Sequence, residues 1–141
     1  MSVTATDLFA GAGGSTTGAE QAGARVVIAA NHWRLAVDTH QANHPQTAHD
    51  CADISQVDPR RYPWTHLLLG SPECTWHSPA SRRKQPAHQA DLLDEAPLPP
   101  EAGERSRATM WDIPRFAEHH RYPIVIVENV VEAMTKWQPA R

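Results

Sequence analysis

The chain has 141 residues, a length that fits one domain or part of one. Its formal net charge of −3 excludes a global positive field that would attract nucleic acid or an anionic membrane, although a basic cluster stands at Arg82-Arg83-Lys84. Two cysteines are too few for a disulfide framework, and no apolar run reaches the length of a membrane span. These observations predict a soluble, cytoplasmic protein with no membrane partner.

The first predicted element is a strand over Val3 to Phe9 that leads into a glycine-rich turn. A helix over Ser15 to Ala22 follows, with a hydroxyl side chain at its start as a cap and Gly23 as its end. Such a strand–turn–helix is typical of open α/β domains that hold an adenosine-bearing cofactor. The glycine spacing departs from the dinucleotide pattern, because Thr16 stands at the third glycine position. A tight turn without a ligand is therefore the alternative.

The remaining predicted elements alternate between strands and helices. In chain order they are a strand over Arg25 to Ala30, a helix over Trp33 to Asn43, a strand over Cys51 to Ile54, a strand over His66 to Gly70, a helix over Ser106 to His120 and a strand over Pro123 to Val127. Pro114 predicts a helix start or a kink. The polar, proline-rich residues 75–105 are predicted to form a mobile loop. The alternation predicts an α/β fold with a doubly wound, mostly parallel sheet of about five strands.

Ligands bind at the carboxyl ends of the strands of such a sheet. The predicted ends carry Phe9 with the glycines, Asn31-His32-Trp33, Asp53-Ile54, Ser71-Pro72-Glu73-Cys74 and Glu128-Asn129-Val130. Several of these residues also have purely structural explanations: Trp33 can pack at a helix start, Asp53 can cap a turn, and Cys74 can be an inert buried thiol. Glu128 is harder to explain in this way. A carboxylate that follows four apolar strand residues is costly to bury unless it binds something.

Together the five segments resemble the cytosine-5 DNA methyltransferases, in the amino-terminal half of their catalytic domain. Asp7 to Gly14 is similar to the family's opening cofactor motif, and the other four segments resemble its second, third, nucleophile and Glu-Asn-Val motifs in order and spacing. The resemblance covers residues 4 to about 137. It implies a Rossmann-like fold of the S-adenosylmethionine-dependent type. Residues 1–141 would be the amino-terminal part of the catalytic domain, and residues 75–105 would be its catalytic loop.

The resemblance also implies S-adenosylmethionine as the methyl donor and double-stranded DNA with a flipped cytosine as the substrate. Cys74 would add to carbon 6 of cytosine, and Glu128 would stabilise the charge that develops before carbon 5 takes the methyl group. The implied cofactor-binding residues are Phe9, Gly11, Ala12, Gly14, His32, Trp33, Asp53 and Ile54. The implied substrate-binding residues are Asn129, Arg82 and Arg83.

Three features depart from the family pattern. His32 stands where the family has a glutamate that grips the ribose, so we expect weaker cofactor binding. Glu73 replaces the proline before the nucleophile, and its charge disfavours the Cys74 thiolate unless His77 or a helix amino terminus offsets it. The family's later basic motif and target-recognition region have no counterpart before the chain ends at Arg141.

The missing motifs predict an incomplete domain. We expect a fragment or one half of a split enzyme, with a complementing carboxyl-terminal polypeptide as a partner. Such a polypeptide would also cover the flat, apolar edge strand that Pro123 to Val127 would otherwise leave.

Three alternatives stay open at this point. The chain could be a degenerate, non-catalytic cofactor-binding module, which Glu73 favours. It could act on RNA. A metal site could form from some of five residues with ligand-compatible spacing, namely His49, Cys51, His66, Cys74 and His77.

Overall fold

The computed structural model describes residues 2–73 and 108–131. In these ranges the chain forms five strands and three α-helices. Their bounds are β1 Thr4–Leu8, α1 Gly14–Gln21, β2 Arg25–Asn31, α2 Arg34–Asn43, β3 Ala48–Cys51, β4 Leu67–Gly70, α3 Asp112–His120 and β5 Ile124–Val127. Short 3₁₀ turns cover Ile54–Gln56, Pro59–Arg61 and Thr109–Trp111. None of the described helices is long and apolar enough to cross a membrane.

The five strands form one sheet in the order β3-β2-β1-β4-β5, and every pairing is parallel. The chain therefore moves outward from β1 in one direction and then crosses back to build β4 and β5. This reversal places the topological switch point between β1 and β4, where open α/β sheets bind ligands. The predicted doubly wound parallel sheet is confirmed.

Helices cover both faces of the sheet, and each face has its own apolar cluster. On one face Ala19 of α1 packs with Ala5, Val26, Leu67 and Leu69. On the other face Ile113 and Phe116 of α3 pack with a larger set that includes Leu8, Ala30, Ile54 and Leu68. Neighbouring strand residues serve opposite faces because side chains alternate along a strand.

The third strand was predicted in the wrong place. It spans Ala48–Cys51, not Cys51 to Ile54, and Asp53 and Ile54 follow it in a 3₁₀ turn. The Asp53 carboxylate accepts hydrogen bonds from the backbone N–H and the hydroxyl of Ser55, at 3.1 and 2.7 Å, and so caps this turn. The structural explanation for Asp53, that it caps a turn, is therefore confirmed.

The helix starts also differ from the predictions. No side chain caps α1, whose first flanking residue is Gly13 at φ 105°. The hydroxyl of Thr16 instead bonds to Asp7. The predicted end of this helix at Gly23 is confirmed by its positive φ of 88°. In α3 the helix begins at Asp112 after a 3₁₀ turn, so Pro114 lies in the first turn, where its missing N–H costs nothing.

Strand β5 is the apolar edge that the sequence predicts. All four of its side chains are exposed, with Ile124 54% and Ile126 52% accessible. In the described part of the chain this strand pairs with β4 alone. An apolar edge of this kind is a surface on which another polypeptide can pack.

Candidate cofactor and substrate site

The glycine-rich turn begins where β1 ends. Phe9 leaves the strand in a left-handed conformation (φ 60°), which is uncommon for a bulky residue and marks a sharp change of direction. Its ring is mostly buried in the core, whereas Gly11, Ala12 and Gly14 are exposed. A Cβ atom added at Gly11 or Gly14 would meet nothing within 4 Å. Protein packing therefore does not require glycine at either position, and both leave open space beside the turn.

Two asparagine side chains hold this turn in place. Asn31, at the end of β2, donates to the carbonyl of Ala10 at 3.0 Å, and Asn43, at the end of α2, donates to the carbonyl of Ala12 at 2.7 Å. Asn31 was predicted to lie at this edge but without a role, and Asn43 was not predicted to contribute to the site. Their signal was weak: each is a polar amide at the last position of an element.

A chain of hydrogen bonds runs beneath the turn. Thr16 donates to the Asp7 carboxylate at 2.9 Å, so its oxygen accepts from His40 Nε2 at 3.0 Å. His40 Nδ1 lies 2.8 Å from His49 Nε2 and accepts from it when His40 is neutral. Asp7, Thr16 and His40 are all buried, with 1% of the surface accessible or less. This order of donors fixes His40 as the neutral tautomer that carries its proton on Nε2.

His44 closes the other side of the same cluster. Its ring lies 4.9 Å from that of His40, and its nitrogens face the Gly13 carbonyl at 3.1 Å and the Glu20 carboxylate at 3.2 Å. This cluster was not predicted from the sequence. The spacing of His40 and His44, one helical turn apart, was the available signal.

Burial shifts the pKa of Asp7 and the pKa of His40 in opposite directions. Desolvation raises the pKa of Asp7 to about 6, against smaller lowering effects of the Thr16 hydrogen bond and the charge of His44. Desolvation, with the neighbouring His49 and His44, lowers the pKa of His40 to about 4. His40 is therefore neutral at physiological pH.

The end of β2 presents an exposed indole. Trp33 is 58% accessible, so packing at the start of α2 does not account for a tryptophan here. His32 beside it is also exposed, and its Nε2 lies 3.6 Å from the Glu73 carboxylate beyond β4. The two residues that depart from the family pattern thus face each other across the end of β1.

Asp53 and Ile54 follow β3 at the same edge. Asp53 is exposed, whereas the Ile54 side chain is buried in the core. A contact between Ile54 and a cofactor would therefore use the backbone of this residue.

The ends of β4 and β5 lie side by side. Gly70 pairs with Val127, and the Glu128 N–H donates to the Gly70 carbonyl at 2.9 Å. The Asn129 amide donates to the Pro72 carbonyl at 3.0 Å, which ties the segment before Cys74 to the segment after β5. Cys74, Arg82, Arg83 and the predicted loop 75–105 lie outside the described residues.

Glu128 is exposed, so the cost of burying a carboxylate does not arise at this residue. The apolar run before it lies at an open edge of the sheet and does not bury its end.

The described residues contain no group of three or more histidine, cysteine or acidic side chains that could hold a metal ion. His49 is bonded to His40, and His66 contacts Thr4 on β1. Of the five residues in the metal hypothesis, Cys74 and His77 lie outside the described ranges.

Comparison with known proteins decides the family. The model of the C-5 cytosine-specific DNA methylases matches residues 3–138. The chain belongs to this family. The resemblance found in the sequence motifs is therefore confirmed.

Individual relatives match parts of this methylase chain. The Type II methyltransferase M.HgiDI of Herpetosiphon aurantiacus is 38% identical over 97 residues, which are 65% of this chain and 31% of M.HgiDI. M.HgiGI of the same organism is 36% identical over 91 residues, 61% of this chain and 71% of M.HgiGI. The chain thus spans less than a third of M.HgiDI.

Two solved structures share the fold. A prophage-encoded protein of E. coli, described as a DNA modification methyltransferase, has a TM-score of 0.72 at 21% identity, over 96% of this chain and 34% of its own. The S. pombe Dnmt2 methyltransferase has a TM-score of 0.62 at 21% identity, over 92% of this chain and 36% of its own. Both agree with the Rossmann-like methyltransferase sheet.

Proposed function

We propose that this chain carries the cofactor site and the nucleophile of a DNA cytosine-5 methyltransferase. The observation that carries the proposal is the shared sheet edge: the open turn after β1, the segment before Cys74 and Glu128 leave three adjacent parallel strands. The hydrogen bond from Asn129 to Pro72 supports a short distance between the segment before Cys74 and Glu128. Family membership supplies the reaction class.

The residues at this edge fit S-adenosylmethionine. Trp33 offers an exposed indole for the adenine ring, with Phe9 below the turn and His32 toward the ribose. Asp53 and the backbone of Ile54 would meet the adenine edge. The open space at Gly11 and Gly14, with Ala12 between them, admits the methionine part. When bound, this cofactor supplies an electrophilic methyl group.

The protein's own chemistry begins at Cys74. Its thiolate adds to carbon 6 of a flipped cytosine, and the Glu128 carboxyl group hydrogen-bonds the ring nitrogen and amino group where charge develops. Carbon 5 then gains the methyl group and loses its proton, and elimination of the thiolate restores the ring. Asn129 would contact the substrate, and Arg82 and Arg83 would contact DNA phosphates.

Glu73 favours a second candidate function, a non-catalytic cofactor-binding module. Its carboxylate precedes Cys74 and opposes thiolate formation by like-charge repulsion. The pairing with His32 at 3.6 Å supports retained activity, because a protonated His32 would offset part of this charge.

A complementing carboxyl-terminal polypeptide is part of the proposal. An apolar groove of about 400 Å³ lies between α1 and β5, lined by Ala19, Ala22, Leu67, Leu69 and Ile126 among others. The groove adjoins the exposed β5, so one further polypeptide segment could cover both surfaces. Such a segment could also contain the residues that recognise the DNA sequence, which agrees with a chain that spans 31% of M.HgiDI.

A trapping experiment tests the proposal. Duplex DNA containing 5-fluorocytosine is incubated with S-adenosylmethionine and the chain, alone and with a carboxyl-terminal half taken from a relative. Fluorine replaces the hydrogen that carbon 5 must lose as a proton before the thiolate is eliminated, so an active enzyme stays covalently attached and migrates with the DNA on a denaturing gel.

Matched cysteine variants make the result specific. We expect Cys74→Ser to abolish the adduct and Cys51→Ser, which changes an exposed free cysteine, to retain it. Cofactor binding without an adduct under either condition would support the non-catalytic module. An adduct formed only with RNA that contains 5-fluorocytosine would indicate that the substrate is RNA and not DNA.

A further inference from the structure

Arg115 of α3 connects two elements that are far apart in sequence. Its guanidinium donates to the carbonyls of Ile54 and Val57, at 2.5 and 2.6 Å. The same group contacts Asp112, one helical turn earlier, at 2.9 Å from Nη2. One planar side chain therefore holds both ends of the turn that follows β3.

The side chains of Ile54 and Val57 are buried in the core, whereas the backbone hydrogen bonds within this turn connect only neighbouring residues. Within it, Gln56 donates to the Asp53 carbonyl at 2.9 Å and Val57 donates to the Ile54 carbonyl at 3.2 Å. Both bonds are local and set the curvature of the turn. The Arg115 bonds instead join the turn to α3, which packs on the sheet through Ile113 and Phe116.

Asp112 supports the orientation of the guanidinium. It is 4% accessible, and its second oxygen has no partner among the described residues. Burial raises the pKa of Asp112, and the charge of Asp53 adds to this effect, so the two carboxylates lie within electrostatic reach of each other. The positive charge of Arg115 thus stands directly behind the edge that carries Asp53.

We propose that Arg115 is a positioning residue that holds Asp53 and Ile54 in place for the adenine of the cofactor. This inference rests on the proposed function, because it assumes that these residues meet adenine. The fork of a guanidinium can bond two carbonyls at once, whereas the ammonium group of a lysine is a point charge without that geometry. Arg115→Lys therefore keeps the charge beside Asp112 and removes the double contact to the turn.

The experiment measures binding of S-adenosylhomocysteine by calorimetry to the full chain and three variants. Arg115→Lys is the test. Asp112→Asn removes the charged partner that orients the guanidinium and is a second, milder test, and Arg25→Lys is a control at the opposite end of the sheet. We expect about tenfold weaker binding for Arg115→Lys, since small displacements of positioned groups have effects of this size or larger. Asp112→Asn should weaken binding less than Arg115→Lys does, and Arg25→Lys should bind within about twofold of the unsubstituted chain.

A second ligand separates positioning from a general loss of structure. In S-inosylhomocysteine the adenine amino group is replaced by a carbonyl oxygen, so the contact to the adenine edge is already lost. We expect Arg115→Lys to weaken this ligand by less than about twofold. Equal weakening of both ligands would overturn the positioning role, as would unchanged binding of S-adenosylhomocysteine. Failure of the unsubstituted chain to bind S-adenosylhomocysteine would overturn the proposed function as well.

Discussion

The buried pair Asp7 and His40 should give the protein two opposite pH dependences that nearly cancel. His40 titrates at about 4 in the folded protein, below its ordinary value of 6.5. The unfolded chain therefore binds the proton first, and stability is lost as the pH falls from 6.5 toward 4. Asp7 titrates at about 6, above its ordinary value of 3.8. Its buried charge costs stability at neutral pH, and this cost is relieved as the pH falls below 6.

The two effects have similar size. Between pH 7 and pH 4.5 these pKa values give a loss of about 2 kcal/mol from His40 and a gain of about 2 kcal/mol from Asp7. Asp7→Asn removes the gain, so this variant should lose about 2 kcal/mol more than the unsubstituted chain over that range. His40→Gln keeps a donor for Thr16 and removes the loss, so its change should differ by about 2 kcal/mol in the other direction.

Urea unfolding followed by circular dichroism at pH 7 and pH 4.5 measures both changes. Glu20, His44 and His49 also face the cluster and are present in all three proteins. Parallel pH profiles for the two variants would refute the reasoning. So would a shift of Asp7→Asn toward greater stability at low pH.

Three further predictions concern the turn, the indole and the edge. Gly13→Ala should destabilise the chain by about 2–4 kcal/mol in urea unfolding, because the φ of Gly13 is 105° and a Cβ atom there would stand 2.4 Å from the His44 ring. Gly11→Ala is the matched control: a Cβ atom at this position would meet nothing within 4 Å, so stability should change by less than about 1 kcal/mol. Trp33→Ala should leave the unfolding midpoint nearly unchanged but weaken S-adenosylhomocysteine binding about tenfold in calorimetry, since the indole is 58% accessible. Ile126→Lys should leave folding intact and abolish co-purification with a complementing half, because this side chain lines the groove and is exposed.

Much of the sheet could be predicted from the sequence because its strands are short β-branched or apolar runs. The runs at Arg25 to Ala30 and Pro123 to Val127 lie within a residue or two of the observed strands. The third strand reads Ala-His-Asp-Cys and has no apolar pattern, so the prediction moved to the nearby Ile54. Ile54 is buried, but it packs from a turn and not from a strand.

The site was less predictable than the sheet. Motif residues such as Trp33 and Asp53 could be placed at strand ends, because a parallel sheet collects those ends at one edge. The contacts of Asn43, His40 and Arg115 could not be predicted, because each side chain bonds to a partner that is distant in sequence. The exposure of Glu128 was not predicted either, although the run before it was predicted to be an edge strand, because the sequence does not show which residues cover the end of that strand.

The approach of His32 to Glu73 links two substitutions that the motif comparison treats as independent. Restoring glutamate at position 32 alone would set two carboxylates against each other across the end of β1 and add negative charge near Cys74, the proposed nucleophile. Restoring proline at position 73 alone would leave His32 without its acid. Positions 32 and 73 are therefore coupled, and a variant that restores the family's usual residues must change both together.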